Sequence, residues 1–434
     1  MKIFDTLSQK IHLLDDDPIN IYLCGPTVYN HVHIGNVRPL ITFDVLNRVL
    51  RHKKVKVNML HNITDIDDKI IKQAVLENLS ELVLSNNYAN AYFEVMSKLN
   101  VIQMENPKVS ENIPGIINYI EQLISKKAAY VVDGDVYFRI NSIPNYGSLA
   151  KINKEELRAG DRVDVDLKKE DPLDFVLWKN TQEGIKWESP WCAGRPGWHT
   201  ECAYLIRNHF GKQITIHGGG IDLRFPHHEN ELSQHLALTG EPISKYWMHV
   251  GHLNIDNQKM SKSLNNFIYV KQLLEKYDFR VIRWFFYQNH YQSPLNFSNA
   301  VLQTAIKDIE KITLTINKAR TFLTLNNKTL PSKHEVNHSF LEALEDDLNF
   351  ANATKVIWEI VSKMNEFTMH KNFEELTFAC EQLLWCLDIY GIEPSNIHTK
   401  PNIDLIKQWN AKVQNKEYIE ADELRTRIQN KKLM

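Results

Sequence analysis

Residues that commonly bind metal ions lie in three separate stretches of the chain. Cys24 follows an apolar run, Cys202 lies in GWHTEC, and His227 and Glu231 lie in PHHENE. Thiolate, imidazole and carboxylate groups are all zinc ligands. His227 and Glu231 are four residues apart and would project from one face of a helix, but this spacing does not favour His227 over His228. No CxxC pair is present, and a buried cysteine is more often a small apolar residue than a ligand, so spacing alone does not establish a metal site.

Two other stretches have the composition of phosphate-binding segments. In HVHIGN, Asn36 is a good helix N-cap, and the free amide groups at a helix N-terminus suit a phosphate. His33 could donate a hydrogen bond where charge develops on a phosphoryl group, although a loop histidine alone is usually a surface residue. In KMSKS, Lys259 and Lys262 are three residues apart with a hydroxyl between them. They form a compact cluster of phosphate donors, for which a solvated basic loop is the alternative.

The stretch HGGGID combines three glycines with a carboxylate. We expect a strand that runs into Gly218, Gly219 and Gly220, where the missing side chains would let backbone approach a ligand closely. Asp222 could then bind a ribose hydroxyl. A flexible glycine turn without a ligand is the alternative explanation.

The elements around these residues predict a parallel α/β unit. Residues 21–24 are expected to form a buried strand, residues 36–51 a helix with one apolar face, and residues 55–60 a second strand. Parallel sheets bind ligands at the carboxyl ends of their strands. Cys24 and Thr64 both follow such an end.

The remainder of the chain predicts an insertion and a helical region. Residues 96–190 contain short strand-like pieces, GDVYFRI, VDVDL and DFVLWK, and we interpret them as an insertion that splits the sheet domain. From about residue 300 apolar residues recur every three or four positions, which predicts a helical bundle. Pro401 marks a joint before a last helical stretch rich in lysine and glutamate.

The composition is that of a folded, multidomain protein. The 434 residues carry a formal net charge of −2, with 43% hydrophobic and 24% charged residues. Five cysteines are too few for a dense disulfide framework. The N-terminus has no apolar core of a secretory signal, and no apolar run is long enough for a membrane span. We therefore expect a cytoplasmic protein with reduced cysteines and no membrane partner, and we assign no function to Cys192, Cys380 and Cys386.

Taken in order, these motifs resemble those of the cysteinyl-tRNA synthetases, a family of class I aminoacyl-tRNA synthetases. The similarity lies in CGPTVY before HIGN, then NITDIDDKI, GRPGWHTEC, HGGGIDLRFPHHENE and KMSKSLNN, and covers residues 1–310. LEDDLNFANA (344–353) is similar to the opening of that family's helical domain. The resemblance implies a split Rossmann-like, parallel-sheet catalytic domain with an insertion, followed by a C-terminal α-helical bundle.

The expected segments follow from that fold. In chain order they are the first half of the catalytic domain (1–95), the connective insertion (96–190), the second half with the metal ligands (191–250), the KMSKS loop and stem-contact fold (251–310), the tRNA-binding bundle (311–396) and a short anticodon-region remnant (397–434).

The resemblance also implies a role for each matching residue. Cys24, Cys202, His227 and Glu231 would hold one zinc ion per chain, and this analogy favours His227 over His228. The catalytic set would be His33, Asn36, Lys259 and Lys262, with Lys262 also bound to the nucleotide. Gly35, Gly218, Gly219, Gly220 and Asp222 would contact ATP. Thr64 and Trp198 would contact bound cysteine.

These roles imply an ATP-dependent ligase. L-Cysteine would react with ATP, with Mg²⁺ on the phosphates, to give cysteinyl-adenylate and pyrophosphate, and the cysteinyl group would pass to tRNA(Cys). The zinc ion would select the substrate thiolate, because a serine hydroxyl stays protonated and is a poorer ligand. A purely structural zinc is the alternative. We expect a monomer.

The sequence departs from the family pattern at three places. Asn36 stands where the family's HIGH motif has its last histidine, and Asn265 stands where glycine is usual. We expect activity with a changed rate from the first and altered loop mobility from the second. The family's closing β-hairpin segment is not recognised after the last helix, so anticodon reading is a weaker expectation than cysteine activation.

Two functions from other classes are compatible with some of these residues. A related ligase shares the catalytic motifs but joins cysteine to an amino-sugar without tRNA. A non-catalytic paralogue that binds RNA or a metal is the other alternative, which Asn36 leaves open and which the presence of His33, Lys262 and all four metal ligands argues against.

Overall fold

The computed structural model describes residues 1–153, 168–211, 213–260, 266–328, 335–394 and 399–433, with the backbone alone of Lys259. The strands are β1 (Lys2–Asp5), β2 (Lys10–Leu13), β3 (Ile19–Leu23), β4 (Val57–His61), β5 (Ala129–Val132), β6 (Asp135–Phe138), β7 (Phe175–Asn180), β8 (Gly194–Pro196), β9 (Ile214–Gly220), β10 (Ser244–Val250), β11 (Leu253–Ile255), β12 (Gln258–Lys259) and β13 (Leu295–Phe297). The α-helices are α1 (Ile34–His52), α2 (Asp68–Glu77), α3 (Glu81–Lys98), α4 (Ile113–Ser125), α5 (Thr200–Phe210), α6 (Glu229–Thr239), α7 (Val270–Lys276), α8 (Phe279–Phe286), α9 (Asn299–Leu325), α10 (His338–Glu345), α11 (Phe350–Met369), α12 (Phe373–Ile389), α13 (Lys400–Gln414) and α14 (Tyr418–Asn430).

A parallel four-stranded sheet has the strand order β10-β9-β3-β4. β3 pairs with β4 on one side and with β9 on the other, so Ile21 lies between Met59 and Ile216. The strands end at the same edge, as a parallel sheet requires. The two expected strands are therefore confirmed. Each starts two residues away from the expected position and ends one residue away from it.

The helix expected after β3 is also present, but it begins earlier. α1 starts at Ile34 and its N-cap is His33. The prediction that Asn36 is the N-cap is wrong, because the amide side chain of Asn36 instead folds back and its Oδ1 accepts a hydrogen bond from the His33 N–H at 3.1 Å. A residue three positions after the N-cap that binds the N-cap amide satisfies one half of a capping box.

The three glycines lie inside a strand and not after it. Gly218, Gly219 and Gly220 are the last residues of β9, where they pair with Met248, His249 and Val250 of β10. The expectation of a strand that merely runs into a glycine segment is corrected by this pairing. The glycines therefore belong to the sheet edge that carries Cys24.

The insertion forms its own antiparallel sheet, with the order β5-β6-β7-β8. The pieces GDVYFRI and DFVLWK contribute β6 and β7, and β8 extends the sheet past residue 190. Helix α4 packs between this sheet and α5. The expected strand VDVDL (163–167) lies outside the described residues.

A small sheet and a helical bundle complete the described chain. β11 pairs with β12 in antiparallel and with β13 in parallel orientation. Helices α9 to α12 pack on one another and bury Ile309, Ile357 and Leu383, which confirms the helical periodicity. The α13–α14 hairpin, which includes Pro401 in its first turn, packs on α9. In the ranges that the structure describes, no helix is long and apolar enough to cross a membrane.

Candidate functional site

The four residues expected to bind a metal ion meet beside the carboxyl edge of the central sheet. One ligand atom from each of Cys24, Cys202, His227 and Glu231 lies within 4.8 Å of the others. Cys24 directly follows β3, Cys202 lies in the first turn of α5, and Glu231 lies in the first turn of α6. The Nε2 atom of His227 is 3.6 Å from Cys202 Sγ and 2.7 Å from Glu231 Oε1.

A second group of ligand atoms satisfies the same distance condition. It consists of Cys24 and Glu231 together with His217 and His228. His228 Nε2 is 3.2 Å from Cys24 Sγ, and His217 Nε2 is 3.1 Å from Glu231 Oε2. Cys202 belongs to the first group only, and its imidazole neighbour there is His227.

Burial shifts the protonation equilibria of most of these groups toward their neutral forms. Burial raises the pKa of the Cys24 thiol and of the Glu231 carboxyl, and lowers the pKa of the His217 and His228 imidazoles. Burial also opposes ionisation of Cys202, but hydrogen bonding from Cys24 and His227 lowers the pKa of Cys202 to about 7. Two thiols, imidazoles and one carboxylate that meet in a buried space match the ligand types of zinc. The residues present therefore fit a zinc ion.

Each of the two residues expected to contact cysteine touches a residue that belongs to this cluster or is next to a member of it in sequence. The buried Thr64 Oγ1 donates a hydrogen bond to Glu201 Oε2 at 3.2 Å. The ring of Trp198 stacks on His227, with centroids 4.5 Å apart and planes 18° apart, and 39% of the tryptophan stays exposed. Trp198 can therefore fix the orientation of the His227 ring while it presents an aromatic face to solvent.

The two phosphate motifs also meet, as far as the structure describes them. A Cβ built at Gly35 would lie 3.2 Å from Met260 Cε, and the His33 ring lies 5.2 Å from the ring of Phe267. Since Met260 precedes and Phe267 follows residues 261–265, both ends of that segment lie beside HIGN. Lys259 ends β12, and Lys262 and Asn265 lie outside the described residues.

His33 is a neutral imidazole near a carboxylate. Burial lowers the pKa of His33 to about 4, although the charge of Asp222 opposes this shift. The influence of the Asp222 charge on His33 indicates that the HIGN and HGGGID motifs lie near each other. A neutral imidazole there can donate one hydrogen bond without repelling Mg²⁺.

The glycines of β9 meet three different neighbours. A Cβ on Gly218 would overlap the buried ring of Phe43 in α1, and one on Gly219 would lie 2.9 Å from His228 Cε1. A Cβ on Gly220 would overlap the carboxylate of Asp222. Close packing of the protein itself therefore requires glycine at the first position.

Sequence reasoning missed several residues that line the metal cluster. The buried Glu201 next to Cys202 bonds Thr64, and His199 Nδ1 is 3.0 Å from His227 Nδ1. His249 Nε2 is 2.9 Å from His228 Nδ1, and its other nitrogen reaches the Thr6 hydroxyl at 2.8 Å. The available signal was the repetition of histidine inside the motifs themselves, as in GWHTEC, HGGG and PHH.

The chain matches two family models. Residues 10–307 match tRNA synthetases class I (C) catalytic domain, and residues 339–387 match the DALR domain. A cysteine–tRNA ligase of Mycoplasmoides gallisepticum is 52% identical over 435 residues, covering 100% of both chains. One from Ureaplasma parvum is 47% identical and covers 99% of both.

Solved structures are similar in fold. A Mycobacterium tuberculosis methionyl-tRNA synthetase in complex with methionyl-adenylate has a TM-score of 0.63, with 14% identity and 91% of each chain covered. At this identity the likeness concerns the fold alone, and it agrees with the Rossmann-like sheet followed by helices.

Proposed function

The chain belongs to the cysteine–tRNA ligase family of class I aminoacyl-tRNA synthetases, and from this membership we propose that a zinc ion selects its amino-acid substrate. As a member, it is an ATP-dependent ligase that joins cysteine to tRNA. The proposed zinc ligands are Cys24, Cys202, His227 and Glu231.

The convergence of three separate stretches on one buried cluster is the observation that carries this proposal. Cys24, Cys202 and the His227–Glu231 pair are distant in sequence, and their ligand atoms lie within 4.8 Å of one another. Zinc bound there would ligate the substrate sulfur and favour its thiolate form. A hydroxyl analogue would leave this interaction unmade, and a site built around one polar partner can reject such an analogue by about 10⁴-fold.

Side chains near the cluster and at the start of α1 would contact the parts of the substrates other than the cysteine sulfur. Trp198 stacks on His227, and the Thr64–Glu201 pair would supply polar groups next to Cys202. The cysteine carboxylate attacks the α-phosphorus of ATP and pyrophosphate leaves. His33, Asn36 and the start of α1 would present hydrogen-bond donors to the phosphates, and such positioning and charge stabilisation are the main contributions a protein makes to this chemistry.

The remaining nucleotide contacts are proposed from the motifs. Lys259 and Lys262 would bind the triphosphate together with Mg²⁺, and Gly35, Gly218, Gly219, Gly220 and Asp222 would border the nucleoside. The coupling of Asp222 to His33 supports a shared nucleotide site. For Gly218 we propose that only the backbone contacts the nucleotide, because the side-chain position of Gly218 points at the Phe43 ring.

The proposed partners are tRNA(Cys), L-cysteine and ATP, with the DALR domain in support of tRNA. We propose a monomer in the cytoplasm, and the five free cysteines agree with a reducing compartment. The amino-sugar ligase receives no specific support, because the relatives that match the chain along its full length are cysteine–tRNA ligases.

A matched pair of histidine variants tests the ligand assignment. His227→Asn removes the imidazole beside Cys202, and His228→Asn removes its neighbour beside Cys24. We expect wild-type protein to contain one zinc by mass spectrometry. His227→Asn should lose that zinc and cysteine-dependent ATP–pyrophosphate exchange, while His228→Asn keeps zinc at the same chelator concentration. Zinc retained by His227→Asn and lost by His228→Asn would assign the second ligand group instead.

A further inference from the structure

Arg38 is a buried cation without a carboxylate partner in the part of the chain that the structure describes. It lies in α1, two residues after Asn36, and only 2% of it is exposed. Burial lowers the pKa of its guanidinium to about 10, which leaves it charged at neutral pH. Burial of a charge destabilises a protein unless hydrogen bonds compensate for the lost hydration. The acceptors around Arg38 therefore indicate its role.

Those acceptors are four backbone carbonyl groups from two segments. Nη1 donates to Gly251 O at 2.7 Å and His252 O at 2.9 Å. Nη2 donates to Ser293 O at 2.7 Å and His290 O at 3.3 Å. A planar guanidinium can reach two pairs of acceptors at once, whereas an ammonium cannot.

Both segments lead into the small sheet that carries Lys259. Gly251 and His252 precede β11, and the 290–293 turn precedes β13, which pairs with β11. β11 in turn pairs with β12, so Asn254 faces Lys259. The two segments touch each other closely at Gly251, where a Cβ would lie 2.7 Å from Ser293 O and nearer still to Gln292 O.

We propose that Arg38 is a positioning residue that fixes the distance between the HIGN end of α1 and the β11–β12 hairpin. The inference deepens the proposed function, since it assumes that both elements face ATP. Arg38 itself contacts neither the metal cluster nor any residue proposed to contact cysteine. Its loss should therefore disturb nucleotide chemistry and leave zinc and cysteine binding intact.

The test compares Arg38→Lys with Arg48→Lys. Arg48 lies in the same helix and also donates to backbone carbonyls, Asn100 O and Asp388 O, as well as to the Asp44 carboxylate, and these acceptors lie away from the hairpin. The readouts are zinc content, the burst of adenylate as a count of active sites, and kcat and KM for ATP and cysteine in pyrophosphate exchange. A misplacement of about 1 Å can lower a rate about 100-fold.

For Arg38→Lys we expect kcat per active site to fall about tenfold to 100-fold, with a higher KM for ATP. The KM for cysteine and the zinc content should stay within about twofold of wild type, and Arg48→Lys should match wild type in all of them. A structural role alone would lower the count of active sites without changing kcat per site. That result, or an equal loss in the KM values of both substrates, would overturn the inference.

A second variant approaches the same contact from the other side. Gly251→Ala should push the hairpin away from the 290–293 turn and so reproduce the kinetic change expected of Arg38→Lys. It therefore provides a test of the inference even if Arg38→Lys folds poorly. Wild-type kinetics in Gly251→Ala would count against the inference. Wild-type protein without zinc or without cysteine-dependent exchange would refute the proposed function instead, so the two failures are distinguishable.

Discussion

Gly218→Ala tests whether the first glycine of HGGG serves packing or nucleotide binding. A Cβ at this position would lie 2.6 and 2.7 Å from Cε1 and Cε2 of Phe43, and closer to Cζ. Carbon atoms in contact are normally about 3.5–4.0 Å apart. The overlap is therefore about 1 Å or more, against a ring that is fully buried between α1 and the sheet.

Such overpacking typically costs about 1–3 kcal/mol. We expect Gly218→Ala to lower the urea midpoint of the first unfolding transition, since a multidomain chain need not unfold in one step. Phe43→Leu removes the ring atoms that the new methyl group would strike. The double variant Gly218→Ala/Phe43→Leu should be more stable than the sum of the two single changes predicts, by about 0.5–3 kcal/mol.

Exchange kinetics supply the second measurement. If packing is the reason for glycine, the KM for ATP of the folded protein changes little, and the double variant regains the lost stability. An unchanged urea midpoint in Gly218→Ala, joined to a raised KM for ATP that Phe43→Leu does not relieve, would refute the packing argument. It would indicate direct contact with the nucleotide.

Three further changes have outcomes that the structure specifies. Cys202→Ser should lower zinc content and abolish cysteine activation, because a hydroxyl is a poorer zinc ligand than a thiolate, and full zinc with full exchange would show that Cys202 is not a ligand. His33→Asn should lower exchange without changing its pH profile between pH 6 and 8, since His33 with a pKa of about 4 is already neutral there; a wild-type inflection in that range that the variant lacks would contradict this. Arg283→Met removes a buried guanidinium that donates to Asp44, Leu99 O and Tyr390 O. The loss of about 3–5 kcal/mol should lower the urea concentration at which limited proteolysis releases the helical bundle. An unchanged digestion pattern would argue against this attachment of the bundle to α1.

Local patterns predicted the central elements well because those elements satisfy local rules. The helix after β3 has an apolar face at helical spacing, and β3 ends in a short apolar run at residues 21–23. The exact start of α1 could not be predicted. His33 and Asn36 are both capable of capping the N-terminus of a helix. The earlier start is accompanied by a tertiary hydrogen bond from Ile34 N to Ile268 O, at 2.8 Å, which local sequence rules do not include.

Metal ligation and glycine packing depend on contacts between distant residues, so the sequence pattern left both open. Spacing allowed His227 or His228 equally, and in space each imidazole belongs to a different group of ligand atoms. Nothing near Gly218 in the sequence indicates Phe43, which approaches because α1 packs on β9 and β10. The cluster's outer residues, such as His249, were similarly visible only after folding.

Helix α1 connects these observations, since different side chains along its length meet β9, the segments that lead into β11 and β13, and α8. Its N-terminus carries His33, Arg38 meets the segments that lead into β11 and β13, and Phe43 packs on Gly218. The next residue, Asp44, accepts a hydrogen bond from Arg283, which also donates to Tyr390 O directly after α12. Arg283 therefore links the middle of α1 to the helical bundle, whereas Arg38 links a position nearer the start of α1 to the segments that lead into β11 and β13. Weakening the Asp44–Arg283 pair should therefore alter transfer to tRNA more than adenylate formation, because adenylate formation requires only the Arg38 end of α1 to stay in place.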